Sequence, residues 1–367
     1  MSSSTSQHAP SPPSIILGIE TSCDDTSVAL VSSERQILAH QTASSAQIHA
    51  SHGGVVPEIA AREHLHSLQG VITATLKEAE LSVSDIDGVA ATAGPGLIGG
   101  VIVGTMTAKA MASALSVPYY AVNHLEGHAL TARLTDGISY PFLLLLVSGG
   151  HTQLLIVRGL GDYERLGTTM DDAAGEAFDK GAAVMGLGYP GGPAIQRLAK
   201  QGERGAVRLP VPRQSARDCH FSFSGLKTAF AQSYNRLSEA DRLARQADYA
   251  ASLQEAIAEA LARRTKFAMQ HFIDNMPANI HRQLVVAGGV AANHAVRDRL
   301  AELADTMSFS LVTPPVSLCT DNGAMIAWVG QEYHQNGRSS PLDFAPRPRW
   351  PLDDTAPPPP GRGVRHG

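Results

Sequence analysis

The chain has 367 residues, of which 43% are hydrophobic and 17% charged, with a formal net charge of −5. That length fits two domains of ordinary size, and the acid excess argues against a protein that coats nucleic acid non-specifically. No apolar stretch reaches the roughly 20 residues that span a bilayer; three cysteines without a CxxC (Cys23, Cys219, Cys319) fit a reducing cytoplasm, not a disulfide framework.

Residues 1–13 carry neither a basic start nor an apolar run, so they read as a disordered leader, not a secretory signal. "IILGIETSCDDTSVALV" then predicts a hairpin: an apolar strand, a polar loop and a second apolar run from Val28. Four histidines follow in "QIHASHGGVVPEIAAREHLHSL" (His49, His52, His64, His66); a metal cluster is conceivable, but a loop and helix hinged at Gly53-Gly54 is the simpler expectation.

"GVAATAGPGLIGGVIVGTMTAKAMASAL" predicts strand, glycine-rich bend and helix. Gly94-Pro95-Gly96-Leu97-Ile98-Gly99 matches GxGxxG, but no acid follows at the spacing of about 20 residues that holds a ribose, and Pro95 removes a backbone donor. Close packing or phosphate approach within another fold suits it better than NAD binding.

"NHLEGHALTARL" places His124 and His128 at i, i+4, a spacing from which both side chains reach one metal. The zincin motif has a glutamate directly after its first histidine; here Leu125 occupies that position, and Glu126 points roughly 200° around the helix. A protease of that kind is disfavoured.

The plan then repeats. "FLLLLVSGGHTQLLIV" predicts a second hairpin turning at Ser148-Gly149-Gly150-His151, and "LVVAGGVAANHAVRDRLAEL" a second strand, bend and helix with Asn293 one turn on. Turn backbones facing a cleft expose N–H groups, which suits phosphate. Between them, "AGEAFDK" puts Glu176, Asp179 and Lys180 on one helix face: a surface ion pair, or a carboxylate that grips ribose. "GYPGGP" leads out of this helix. From Arg197 to Arg217 there are six basic residues and one acid, Glu203, by themselves a solvated loop. "YAASLQEAIAEALARRTKFAMQHF" predicts the longest helix, a scaffold. Asp321 in "LCTDNGAMIAW" lies at an N-cap-like junction. With the two histidines it makes the two-histidine, one-carboxylate set that suits Fe(II) and also zinc, though a histidine pair plus a capping aspartate gives the same sequence.

Strands alternating with long helices in two tandem halves imply α/β layers, a duplicated fold and a cleft between lobes. Together "GIETSCDDTSVAL", "HGGVVPEIAAREH", "AGPGLIGG", "NHLEGH", "LLVSGGHTQL", "DDAAGEAFDKGA", "YPGGP", "FSFSGLKTA", "AGGVAAN" and "CTDNGAMIAW" resemble the tRNA threonylcarbamoyl transferase (TsaD) family, in order, from about Ile15 to Leu352.

The resemblance implies the duplicated actin-like ATPase fold (sugar kinase/Hsp70-like, ribonuclease H-like), with lobes over 14–125 plus 310–335 and over 126–309; residues 353–367 lie outside it and read by composition as a disordered proline-rich tail. It implies transfer of a threonylcarbamoyl group from threonylcarbamoyl-AMP to N6 of the adenosine beside the tRNA anticodon. Carried over by motif, His124, His128 and Asp321 would bind Fe(2+), alternatively Zn(2+); Leu146, Val147, Ser148, Gly149 and Gly150 would face phosphate; Asp179, Gly192 and Asn293 would contact the nucleotide. A TsaB-like paralogue and a TsaE-like ATPase are the implied partners, besides tRNA. A sugar kinase shares such a fold but does not need the histidine pair.

Overall fold

The computed structural model describes residues 13–45, 48–49 and 54–358. His52, Gly53, most of the expected leader and the end of the expected tail lie outside the described residues.

Both predicted hairpins form. β1 (Ile15–Glu20) pairs antiparallel with β2 (Thr26–Ser32), and β6 (Phe142–Val147) with β7 (Thr152–Gly159). Each hairpin gains a further antiparallel strand, β3 (Ile37–Ala43) or β8 (Asp162–Thr168). On its other side each gains two parallel strands: β4 (Gly88–Gly94) and β5 (Tyr119–Asn123), or β9 (Gln283–Ala287) and β10 (Ser310–Val312). The orders β3-β2-β1-β4-β5 and β8-β7-β6-β9-β10 are therefore the same design twice. β10 corrects one expectation: 310–312 belongs to the second sheet, because its pairing with β9 runs Ser310↔Gln283 to Val312↔Val285. The chain returns to the first lobe only after it.

The central strands are buried along almost their whole length because helices cover both faces. On the first sheet, α1 (Pro57–Glu78) and α2 (Ile98–Leu115) cover the outer face, where Leu17, Val28, Leu68, Ile72 and Ala108 share one core. α2 is long and apolar enough, by length and composition, to cross a membrane; here Val101, Gly104 and Ala108 face the protein. α3 (His124–Asp136) and α10 (Gly323–Gln335) lie on the inner side. A core containing Ile16, Ala90, Leu130, Leu144, Val285 and Ile326 joins both sheets through them. α10 crosses β1 so closely that a Cβ on Gly18 would come within 2.3 Å of the Ala327 nitrogen.

The second lobe carries α4 (Ala174–Val184), α5 (Gly191–Ala199), α6 (Ser224–Asn235), the scaffold helix α7 (Glu239–Asn275) and α8 (His294–Met307); a short α9 (Val316–Cys319) leads to α10. α7 starts at Ser238, whose hydroxyl accepts the Asp241 N–H. Residues 340–352 form a strap over the edge of the first sheet: Ser340 bonds Tyr119 and Ala121, and the Arg347 N–H donates to Ala93. The expected tail begins later than residue 353, since Asp353 accepts the Arg165 N–H of β8 at 2.9 Å.

Candidate metal and nucleotide centre

A cleft of about 920 Å³ opens between the lobes. Its walls are the β1–β2 turn (Ser22–Asp25), the loop before α2, the β6–β7 turn (Ser148–His151), α4 with the loop after it, the β9–α8 bend, Asp321 and strap residues Pro348–Pro351.

His124 and His128 occupy the first two turns of α3, which Asn123 caps by accepting the Leu125 N–H at 2.9 Å. Their rings meet edge to face, 4.8 Å between centroids. Asp321 Oδ1 lies 3.0 Å from His128 Nε2 and 3.4 Å from His124 Nε2. These three ligand atoms lie within 4.8 Å of one another, and they form the one such group of three among the described residues. Asp321 is not the helix cap. Asn322 is, accepting the Met325 N–H at 2.9 Å; the neighbouring carboxylate is thereby left for the histidines.

Behind this group stands Glu20, an acid in the first core that sequence reading did not single out. It accepts the Ser22 N–H at 2.6 Å and the Thr92 hydroxyl, and its Oε2 is 3.1 Å from His124 Nδ1. Such a partner fixes the ring so that Nε2 faces Asp321, the outer-shell arrangement typical of metal-binding histidines. The donor set therefore suits a metal ion. Burial would raise the Asp321 carboxyl, but the imidazoles of His124 and His128 outweigh it and hold it well below the usual carboxylate range. Burial likewise opposes charge on His124, yet Asp321 and Glu20 raise it well above an ordinary imidazole. Glu126 faces away as expected, accepting hydroxyls from Tyr163 at 2.7 Å and Tyr333 at 2.5 Å.

The β6–β7 turn is closed by Ser148 N–H donating to the His151 carbonyl at 2.8 Å and His151 N–H donating to Ser148 Oγ at 3.1 Å. That leaves the Gly149 and Gly150 N–H groups without an acceptor among the described residues, and a Cβ on either would meet nothing within 4 Å. Leu146 and Val147 are fully buried strand residues and do not line the cleft; they aim the turn. Gly192 opens onto the same space, whereas Asp179 is engaged: its Oδ1 accepts the Gly191 N–H at 2.8 Å and so holds the YPGGP loop. Asn293 caps α8 through Val296 N–H at 3.2 Å, and its amide donates to Gln254 at 2.8 Å. Lys180 pairs with Glu176, the surface ion pair the spacing allowed.

The four-histidine segment holds no such metal group among the described residues. His64 Nε2 donates to the Cys23 carbonyl at 3.2 Å, His49 Nδ1 accepts the Val56 N–H, and His66 is exposed. The GxGxxG match is a packing device: Gly94, with φ +135°, takes the Arg347 carbonyl against its α-carbon.

Duplicated lobes closing on one cleft place the chain in the actin-like ATPase fold class. HypF from T. kodakarensis superposes with a TM-score of 0.59 at 15% identity, covering 88% of this chain and 48% of HypF. Component A of the Acidaminococcus fermentans (R)-2-hydroxyglutaryl-CoA dehydratase gives 0.51 at 17%, covering 89% and 100%. A family model, TsaD, described as tRNA N6-adenosine threonylcarbamoyltransferase, matches residues 36–328. Proteins of that name from Brucella anthropi and Sphingopyxis alaskensis are 53% and 52% identical, over 95% and 96% of this chain and 98% and 99% of theirs. The chain belongs to the TsaD family of transferases.

Proposed function

We propose that the chain transfers the threonylcarbamoyl group of threonylcarbamoyl-AMP to N6 of adenosine 37, beside the anticodon, in tRNAs that read codons beginning with adenine, releasing AMP. The observation that carries this is the His124–His128–Asp321 group beside a glycine turn in one nucleotide-sized cleft. Fe(2+), or alternatively Zn(2+), suits this donor set and supplies Lewis-acid stabilisation of developing negative charge when bound.

The remaining work falls to the chain itself. The unspent N–H groups of Gly149 and Gly150 take phosphate oxygens, with Ser148 fixing the turn. Asp179, by holding the loop, presents Gly192 to the nucleoside; Asn293 keeps part of its amide for it. The adenosine nitrogen attacks the carbamoyl carbon, the carbon–oxygen bond to phosphate breaks, AMP leaves with the electron pair, and N6 gives up one of its two protons to water. Acyl-AMP is already activated, so no covalent enzyme intermediate is required. Consistent with that, burial and nearby Asp321 and Asp24 push the Cys23 thiol far up, and burial also raises Cys319.

Exposed Arg197, Lys200, Arg204, Arg208 and Arg217 suit tRNA phosphates, while Arg213 is spent on Asp218. Leu65, Ile98, Ile102 and Met106 form an exposed apolar face on α1 and α2, which suits a TsaB-like partner; a TsaE-like ATPase completes the expected set. The setting proposed is cytoplasmic, without membrane attachment. Incubation of the purified protein and its partners with threonylcarbamoyl-AMP and unmodified tRNA, followed by nucleoside analysis, tests the reading; absence of modified adenosine would refute it.

A further inference from the structure

Among the described residues, four side chains lining the cleft are carboxylates, Asp24, Asp25, Asp179 and Asp321, and a single one is a lysine or arginine: Arg349. It lies on the strap between two anchored residues. The Pro348 carbonyl accepts the Gly96 N–H at 3.3 Å, and the Trp350 carbonyl accepts Asn123 Nδ2 at 3.0 Å. Asn123 is also the cap of α3, so the strap is tied to the residue preceding His124.

The two strap arginines have different fates. The Arg347 guanidinium stacks over the Phe344 and Trp350 rings at 4.9 and 5.2 Å. Arg349 is exposed, and no hydrogen bond, ion pair or ring contact engages it among the described residues. A fixed backbone and a free guanidinium on the wall of a cleft mark a place where an anion is received.

The donor substrate brings two anionic groups, the phosphate and the threonine carboxylate. The phosphate has the β6–β7 turn. The carboxylate needs a cation, and a guanidinium meets a carboxylate with two parallel N–H donors. We propose that Arg349 determines specificity by binding the threonine carboxylate of threonylcarbamoyl-AMP, an inference that rests on the transferase reading above.

The test compares the full-length protein with Arg349→Met and Arg349→Lys, each assembled with its partners, by equilibrium binding and steady-state kinetics. The probes are threonylcarbamoyl-AMP, its analogue with a carboxamide in place of the carboxylate, and AMP. Arg349→Met is expected to bind threonylcarbamoyl-AMP about 10- to 100-fold more weakly, the effect of one charge-assisted pair. KM rises and kcat holds, while the carboxamide and AMP bind both proteins equally. Arg349→Lys recovers part of the loss, keeping charge without the fork. The proposal is overturned by unchanged binding of threonylcarbamoyl-AMP, by an equal loss on the carboxamide or AMP, or by an effect confined to the KM for tRNA. Wild-type protein that fails to bind threonylcarbamoyl-AMP overturns it too. Wild-type protein that binds the compound yet modifies no tRNA refutes the transferase reading alone, and the binding comparison still decides Arg349.

Discussion

One carboxylate oxygen of Asp321 faces both imidazoles, 3.0 Å from His128 Nε2 and 3.4 Å from His124 Nε2, although 193 residues separate it from His128. α3 and the segment before α10 meet between the sheets, so folding of both lobes assembles the site. Asp321→Asn and His128→Ala each remove one of three protein ligands. Both variants should lose bound metal on gel filtration, read by elemental mass spectrometry. Turnover should fall by more than the about 10- to 100-fold typical of an outer-shell partner. Wild-type metal content in either variant would rule the group out as the binding site.

Glu20→Gln tests the outer shell. The glutamine keeps an acceptor for Ser22 N–H or the Thr92 hydroxyl, so the fold should survive, but the anion facing His124 Nδ1 is gone. Metal affinity is expected to drop about 10- to 100-fold with all three ligands still present. A metal titration giving the wild-type constant would show Glu20 to be a structural residue only.

The parts legible in the sequence were those written locally. Both hairpins follow from apolar runs around short polar turns, and the histidine pair follows from its spacing. The parts that were not legible depend on chain segments far apart. Asp321 and Asn322 are adjacent and both favour helix caps; only the presence of two imidazoles decides which caps α10. Glu20 ends an apolar strand, where an acid resembles any turn residue until His124 is brought against it. β10 is three residues long, too short for a pattern, and its sheet is chosen by the free edge of β9. Asp179 lies on the cleft side of its helix, but its partner Gly191 comes from a loop folded back on it.

Acid should weaken the fold through His64. Burial lowers its pKa, and the ring is bonded as a neutral imidazole, with Nε2–H on the Cys23 carbonyl and Nδ1 2.7 Å from Thr26 Oγ1. The unfolded chain then binds a proton at a higher pH than the folded one. Stability is full above the unfolded value of about 6.5 and declines as pH falls from there toward the folded value, by at most about 1.4 kcal/mol per unit for this group. Burial lowers His40 in the same sense, and His151, pushed down to about 4, adds to it. Relative to His64→Gln, the wild-type denaturant midpoint should fall between pH 7.5 and 5; the raised His124 contributes its opposite slope equally to both proteins. Parallel slopes for the two proteins would contradict this.

Asn322→Ala separates capping from metal binding. Loss of the bond to Met325 N–H should cost about 1 kcal/mol of stability, the usual effect of removing an N-cap side chain. Asn322 Nδ2 also donates to the Thr320 carbonyl at 2.8 Å, so its removal frees the turn that presents Asp321. Metal affinity should therefore fall along with stability. Asn322→Ser retains a capping oxygen but cannot reach back to Thr320 as an amide does. It should recover most of the stability and little of the metal affinity. Equal recovery of both would mean that the cap alone holds Asp321 in place.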